Sequence, residues 1–217
     1  EMSGYRIGVT IRQGFAKATF HYAAGSAHNF TYGASAIWYD LMPGELSPLH
    51  ENSLIAERRL NTQNALEPAV YFSDTWSVTP ALMLEGGVRV SGLAAFNPSK
   101  FYSNPELRIS GKYSFRDNLS LKAGFNTMSQ YIHLISNTSS ISPIDSWQLS
   151  NAQIRPQNGW QAASGLYWTI GGGQADLSLE AYYKHTSHYL DYKSGATLMM
   201  NEHLAEDLVE TYGKAYG

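Results

Sequence analysis

The feature that most constrains this chain is a strict alternation of apolar and polar side chains in two neighbouring segments. Between residues 107 and 115 the odd positions are apolar or small and the even positions are polar. Arg116-Asp117-Asn118 then turns the chain, and residues 119–126 resume the alternation. Because successive side chains on a β-strand point to opposite faces, this period of two predicts a hairpin with one apolar and one polar face.

Comparable alternation along the rest of the chain predicts eight antiparallel strands. They cover about 5–23, 29–42, 55–78, 81–95, 105–115, 119–135, 159–170 and the residues from 175 onward. Gly14 predicts a bulge in the first strand, where Arg12 is expected on the polar face. The tail after Gly195 is expected to be irregular or briefly helical, and its end from Tyr212 looks like the start of another strand.

The predicted connections are alternately short and long. Short turns are expected at 24–28, 79–80, 116–118 and 171–174, and long loops near 43–54, at 96–104, at 137–158 and after 195. An antiparallel meander then places all short turns at one end, which is typical of outer-membrane β-barrels. The aromatic residues next to the short turns predict a girdle at a membrane–water boundary. They are Tyr22, Trp76, Phe115 and Trp168.

The composition excludes several other classes. Charged residues make up 15% of the chain and aromatic residues 13%, with 15 tyrosines, which suits rings placed at membrane boundaries. The chain has no cysteine, so a disulfide framework and thiolate metal sites are excluded. The net charge of −3 does not favour nucleic acid as a partner. No apolar run is long enough for a transmembrane helix, a test that does not detect barrel strands.

Several motifs, in their order and spacing, resemble the barrel of TonB-dependent outer-membrane receptors. A strand with the motif Tyr-x-x-Asp-x-Trp (Tyr71, Asp74, Trp76) leads through Thr79-Pro80 to a strand with the motif Gly-x-Arg, which ends at Arg89. The stretch from Pro105 to Ala123 is similar to the next hairpin of that barrel. Ser129 to Leu134 resembles the subgroup that carries a carboxypeptidase-like regulatory domain.

The resemblance implies a fold and a function. Family barrels have about 22 strands around a plug domain, so residues 1–217 are expected to be part of one all-β, up-and-down transmembrane barrel domain, with the plug absent from this chain. The implied function is nutrient uptake across the outer membrane of a Gram-negative bacterium. The implied partners are the lipid bilayer, lipopolysaccharide, a small nutrient ligand and, through the plug, the TonB complex. Nucleic acid is not an expected partner.

The candidate site residues fall into two groups. The lumen- or plug-facing charges implied by the resemblance are Glu85, Arg89, Arg108, Lys112, Glu180 and Lys184. The candidate ligand contacts in the outer loops are Tyr131, His133, Trp147, Gln148, Phe101 and Tyr102. No catalytic arrangement, cofactor or metal site is predicted. His203 and Glu206 are expected to share one side of a short helix within 201–210.

Two other functions fit the pattern. Eight strands can close into a complete small barrel that acts as a membrane anchor or adhesin. Alternatively, a soluble β-sandwich that binds sugar or protein also alternates apolar and polar residues. In a sandwich, Val88, Leu107, Leu121 and Leu179 would be enclosed between two sheets, whereas in a membrane barrel they face lipid.

Overall fold

The computed structural model describes residues 4–50, 54–135, 146–193, 196 and 200–217. These residues form twelve strands: β1 (Tyr5–Ala24), β2 (His28–Pro48), β3 (Arg58–Arg59), β4 (Gln63–Ser77), β5 (Leu82–Phe96), β6 (Ser99–Arg116), β7 (Leu119–Gln130), β8 (Ile132–Ile135), β9 (Ser146–Leu149), β10 (Gln157–Ile170), β11 (Ala175–Tyr192) and β12 (Leu208–Tyr216).

Nine strands form one continuous antiparallel sheet. Their order across the sheet, β1-β2-β4-β5-β6-β7-β10-β11-β12, is also their order along the chain. β3 pairs with β2, while β8 and β9 form a separate two-stranded sheet. The large sheet does not close on itself, and β1 and β12 are its edges within the described part of the chain. This arrangement confirms the predicted all-β, up-and-down antiparallel fold.

The four predicted short turns are confirmed at one end of this sheet. Turns or bends occupy residues 25–27, 79–81, 117–118 and 171–174. Gly171, Gly172 and Gly173 have φ values of 64°, 67° and 102°. A residue with a Cβ rarely adopts this conformation, so the β10–β11 turn depends on its glycine run.

The predicted connections at the opposite end are partly wrong. Residues 96–104 are not a long loop, because β5 continues to Phe96 and β6 begins at Ser99 after a two-residue turn. β2 also runs past its predicted end at 42, to Pro48. Alternation fails as a guide here because residues such as Leu93 and Ala95 are buried against another segment of the chain. Apolar side chains therefore occur on both faces.

That covering segment is the β8–β9 hairpin. The sixth strand does not run on to Ile135 as predicted: β7 ends at Gln130, and Ile132–Ile135 pair instead with Ser146–Leu149. β9 and the start of β10 lie within the predicted loop at 137–158, of which residues 137–145 are outside the described ranges. The hairpin packs against β2 and β4, and we call the face of the sheet that it covers the inner face.

The other face, here called the outer face, is apolar and uncovered. Val88, Leu107, Leu121 and Leu179 are 55%, 37%, 38% and 74% exposed. Within the described residues no second sheet packs on them, because the β8–β9 sheet lies on the inner face. This geometry excludes the soluble sandwich. An apolar face of this extent requires an apolar medium or a partner.

Aromatic residues border the outer face at two heights. Tyr22, Trp76, Phe115 and Trp168 lie beside the short turns, and all four are at least 42% exposed. Trp38 and Trp160 form a second row further along their strands. Trp160 and Trp168 are eight positions apart on β10, or roughly 27 Å at the rise of an antiparallel strand. This spacing is comparable to the apolar band of barrel proteins, about 25 Å tall.

The structure has no bulge at Gly14, because Gln13, Gly14 and Phe15 pair in unbroken register with Tyr39, Trp38 and Ile37 of β2. The pairing of β1 with β2 shifts between Gly8 and Thr10. The extra residue is on β2, between Glu45 and Met42, so the alternation of β1 is unbroken and Ile11, like Val9, packs against the hydrophobic core on the inner face. Arg12 consequently lies on the outer face opposite Asp40, at 3.8 Å from its carboxylate. The predicted polar-face position of Arg12 is therefore wrong.

The tail is briefly helical, as expected. Leu204–Asp207 form one 3₁₀ turn, and Leu208–Tyr216 then pair with β11 as β12. His203 Nδ1 lies 3.5 Å from Glu206 Oε1. The described residues include no helix with the length and apolarity needed to cross a membrane.

Gly33 on β2 is required by a close approach on the inner face. A Cβ at this position would lie 2.1 Å from the carbonyl oxygen of Ala18 and 2.7 Å from the Tyr71 hydroxyl. We expect Gly33→Ala to lower the free energy of unfolding by about 1–3 kcal/mol, because neighbouring groups must move. Urea unfolding of the intact receptor in detergent would measure the change. The matched control is Gly86→Ala, where no atom lies within 4 Å, and equal losses in both variants would contradict the prediction.

Candidate functional site

A network of charged and polar side chains crosses the inner face near the long-loop end. The Tyr39 hydroxyl donates to Glu67 Oε2 at 2.8 Å. Arg89 lies between two carboxylates, with Nη2 4.0 Å from Glu67 Oε1 and Nε 3.7 Å from Glu106 Oε2. Arg89 and Glu106 are direct cross-strand partners. Opposite charges facing each other on neighbouring strands stabilise the pairing, so the network ties together β2, β4, β5 and β6.

Tyr131 connects this network to the β8–β9 hairpin. Ser91 Oγ donates to Glu106 Oε1 at 2.6 Å and lies 2.9 Å from the Tyr131 hydroxyl. Because Ser91 has one hydroxyl proton, the Tyr131 hydroxyl is the donor to Ser91, and it accepts from Asn104 Nδ2 at 3.0 Å. Burial is the main cause that raises the pKa of Tyr131 above its ordinary value. The hydroxyl therefore stays protonated and keeps its role as donor.

Apolar packing and two amide hydrogen bonds fix the hairpin on the sheet. Tyr131 and Leu149 join a buried cluster with Leu41 and Leu93 of the sheet. The side chain of Gln63 on β4 holds β9 through both of its amide atoms. Its Nε2 donates to Gln148 Oε1 at 2.5 Å, and its Oε1 accepts from the backbone N–H of Leu149 at 2.8 Å. The hairpin is thus part of the packed core at this end of the sheet.

His133 of β8 is completely buried. Its Nε2 lies 2.8 Å from Ser150 Oγ, and its Nδ1 has no hydrogen-bond partner among the described residues. Burial lowers the pKa of His133 from its ordinary 6.5 to about 4, because a charged imidazole would lose its hydration. The packed hairpin therefore contains a neutral histidine.

We expect docking of the hairpin to weaken as the pH falls from 6.5 towards 4. The docked state binds the His133 proton with a pKa of about 4, whereas a released hairpin binds it at its ordinary value, so acid favours release. The docking free energy has its full value above pH 6.5, declines as the pH falls from 6.5 to 4, and no longer changes below pH 4. Limited proteolysis of the intact receptor at pH 7 and pH 5 would measure it.

The control for this prediction is His133→Asn, which can still bond Ser150 but does not titrate. Its hairpin should show the smaller change in cleavage rate between the two pH values. Equal changes in the variant and the unchanged receptor would contradict the assignment of the pH dependence to His133.

The structure places the six predicted ligand contacts in three environments. Tyr131, His133 and Gln148 are buried in the packed hairpin. Trp147 and Tyr102 are half-buried against the core cluster, and the Tyr102 hydroxyl donates to the carbonyl of Asn151 at 2.7 Å. Phe101 is 64% exposed and pairs with Ala94 on the opposite, outer face. Five of the six are thus brought together, chiefly as packing around the hairpin.

The six predicted lumen-facing charges lie on the inner face. Glu85, Arg89 and Arg108 line a cavity of about 250 Å³ together with Lys17. Glu85, Lys112 and Glu180 line a second cavity of about 380 Å³ together with Lys122. Lys184 is paired with Gln161, another residue lining the second cavity.

Sequence reasoning missed the residues that organise this region. Gln63, Ser91, Asn104 and Glu106 make its central hydrogen bonds. Only Glu106 lies in a stretch that resembles the family, and that resemblance implied no role for it. Their common sequence signal is an inner-face position near the long-loop end of a strand. That signal becomes specific only when the hairpin is known to fold back over them.

The architecture defines a class of protein, an antiparallel meander with the apolar outer band of a membrane β-barrel. A family comparison then identifies it. The profile described as TonB dependent receptor-like, beta-barrel matches residues 4–215. The chain therefore belongs to the TonB-dependent receptor β-barrel family, whose members are outer-membrane proteins of Gram-negative bacteria. This family match does not identify the subgroup that carries a carboxypeptidase-like regulatory domain. A comparison with curated protein sequences finds no significant match.

Solved structures with the same fold include two metal transporters and a ferripyoverdine receptor. The copper transporter OprC has a TM-score of 0.64 at 13% identity, over 88% of this chain and 32% of its own length. The ferripyoverdine receptor of Pseudomonas aeruginosa has a TM-score of 0.62 at 14% identity, over 98% of this chain and 30% of its own length. The FrpB iron transporter of Neisseria meningitidis has a TM-score of 0.62 at 12% identity, over 96% of this chain and 33% of its own length. The chain spans about a third of these proteins, and at such identities the likeness concerns the fold alone.

Proposed function

We propose that this chain forms part of the barrel wall of an outer-membrane receptor that takes up a nutrient by TonB-dependent energy coupling. The main observation in favour of this proposal is the uncovered outer face, whose aliphatic side chains lie between two aromatic rows. The process is gated binding and passage, and it requires no catalytic residue. A barrel containing these nine strands needs further strands to join β1 to β12, which favours a large receptor over the small complete barrel.

Contacts with the membrane follow from the outer face. Leu107, Leu121 and Leu179 face acyl chains. Arg12 lies on this face near the second aromatic row, and its side chain is 74% exposed. We assign it to the phosphate groups of lipopolysaccharide, because a guanidinium binds phosphate in a bidentate manner.

The inner-face charges support contact with a plug. Lys112 and Lys122 are direct cross-strand partners, and like charges in this position are unfavourable unless a counter-charge approaches. Together with Arg108, Lys184, Glu85 and Glu180 they form a mixed surface on which polar groups of a plug can dock. The plug would then transmit the pull of the TonB complex.

Ligand capture is placed at the long-loop end. Trp147 and Tyr102 retain accessible surface on the inner face there and are the proposed direct contacts among the predicted residues. Phe101, on the outer face, is assigned to the membrane side instead. Tyr131, His133 and Gln148 hold the hairpin that shapes the entrance.

The test is made on the intact receptor in its own bacterium. We expect it in the outer-membrane fraction, with the heat-dependent gel mobility of a folded barrel, and we expect growth on its nutrient to require both the receptor and TonB. Recovery of the intact receptor as a soluble protein would refute the proposal. Growth that needs the receptor but is unchanged by deletion of TonB would refute the energy coupling.

A further inference from the structure

A polar cleft of about 520 Å³ opens at the long-loop end of the inner face, a size typical of small-molecule sites. Five parts of the chain form it: Pro43 of β2, the β3–β4 connection, the β5–β6 turn, the segment from β9 to β10, and the residues before β12. Its most prominent feature is a set of seven side-chain amides. Asn61, Gln63 and Asn97 come from the sheet side, and Gln148, Asn151, Gln153 and Asn201 come from the later segments.

The cleft is nearly free of charge. No lysine or arginine lines it within the described residues, and its single charged side chain is Glu202. The Glu202 carboxylate is already paired with Arg58, at 2.9 Å. An anionic ligand would find no counter-charge here, and a cationic ligand would have to compete with that ion pair.

Some of the amides are fixed by the protein, whereas others are available. Gln63 and Gln148 bind each other, and Asn151 Oδ1 accepts from the backbone N–H groups of Gln153 and Ile154 at 2.8 and 3.1 Å. The side chains of Asn61, Asn97 and Gln153 make no hydrogen bond within the described residues. The cleft thus combines a rigid base with unpaired donors and acceptors.

We propose that this cleft binds a neutral oligosaccharide, an inference that rests on the proposed receptor function. A sugar hydroxyl both donates and accepts, and a side-chain amide presents a donor and an acceptor side by side. Unpaired amides and hydroxyls are therefore complementary without any charge. The partly exposed Leu60 also lines the cleft and offers apolar surface to the C–H face of a sugar ring, while Ile154 and Leu204 are buried beneath the cleft wall. The described residues contain no group of three or more histidine, aspartate or glutamate side chains that could hold a bare metal ion.

The experiment uses the detergent-purified intact receptor. Binding is measured by calorimetry against a panel of neutral oligosaccharides with glucose, xylose, mannose and galactose backbones. Acidic oligosaccharides and a ferric siderophore are titrated in parallel. The variant is Asn61→Leu combined with Gln153→Leu, which keeps side-chain size and removes hydrogen bonding. The matched control is Gln174→Leu, in the short turn at the opposite end.

We expect at least one neutral oligosaccharide to bind, roughly tenfold more weakly to the double variant and unchanged in the control. The inference is overturned if no neutral oligosaccharide binds at millimolar concentration, if the double variant binds as well as the unchanged receptor, or if only the acidic sugars or the siderophore bind. Outer-membrane location and TonB dependence are scored separately. The sugar inference can therefore fail while the receptor function stands.

Discussion

Replacing Leu179 by arginine is expected to destabilise the receptor in a bilayer by about 1–3 kcal/mol, because a cation on the lipid-facing surface of a barrel costs about 2–4 kcal/mol at the bilayer midplane and less towards either interface. Among the outer-face residues Val88, Leu107, Leu121 and Leu179, the most exposed is Leu179, at 74%. It pairs with Leu166, which lies two positions from Trp168 and six from Trp160 on β10. Leu179 is therefore inside the proposed band, on the side nearer the short turns. Urea unfolding of the intact receptor in phospholipid vesicles would measure the loss.

The control for Leu179→Arg is the preceding residue. Ser178 pairs with Tyr167 on the inner face and lines a polar cavity there. Ser178→Arg introduces the same charge one position away, and we expect it to change the unfolding free energy by no more than about 0.5 kcal/mol. Equal effects at both positions would mean that the outer face does not contact acyl chains.

Replacing Tyr131 by alanine is expected to weaken docking of the β8–β9 hairpin by about 3–5 kcal/mol, as for other buried aromatic residues. The ring is 2% exposed within the core cluster, and its hydroxyl joins Asn104 to Ser91. Hydrogen exchange at the backbone N–H of Leu149, which is bonded to Gln63, reports docking directly. We expect this amide to exchange much faster in Tyr131→Ala.

Tyr131→Phe separates packing from hydrogen bonding. It keeps the ring and loses only the hydroxyl, so the expected cost is about 1–2 kcal/mol. Both variants should retain the heat-dependent gel mobility of a folded barrel, because the hairpin contributes no strand to the large sheet. Loss of that mobility in Tyr131→Ala, or unchanged exchange at Leu149, would contradict the docked hairpin.

The most predictable parts of this fold are those set by local chemistry. The alternation at residues 107–126 gives the hairpin of β6 and β7, and the glycine run at 171–173 gives a tight turn, because both depend on neighbouring residues only. The ends of strands are less predictable than their existence, as the fourth predicted strand shows at Phe96. The strand continues there because the next hairpin arm supplies backbone partners, which composition does not reveal.

The candidate site was less predictable for the same reason. Tyr131, His133 and Gln148 are chemically suited to contact a ligand. The sequence predicts the first two at the end of the sixth strand and Gln148 in the polar loop that follows. Whether such residues meet solvent or one another depends on where the following segment folds. The amide cleft is a further case, because its seven amides come from four separate parts of the chain.

The amino-acid order alone determined the two-faced strands, the end at which the chain turns tightly, and the resemblance to the TonB-dependent receptors, because alternation and turn chemistry act over a few residues. Tertiary structure alone decided which apolar residues are covered. Leu41, Leu93 and Leu149 are buried because the β8–β9 hairpin returns to the inner face, while Leu179 stays uncovered because nothing in the described chain packs on it. Burial is a contact between segments distant in sequence, so no local pattern can specify it.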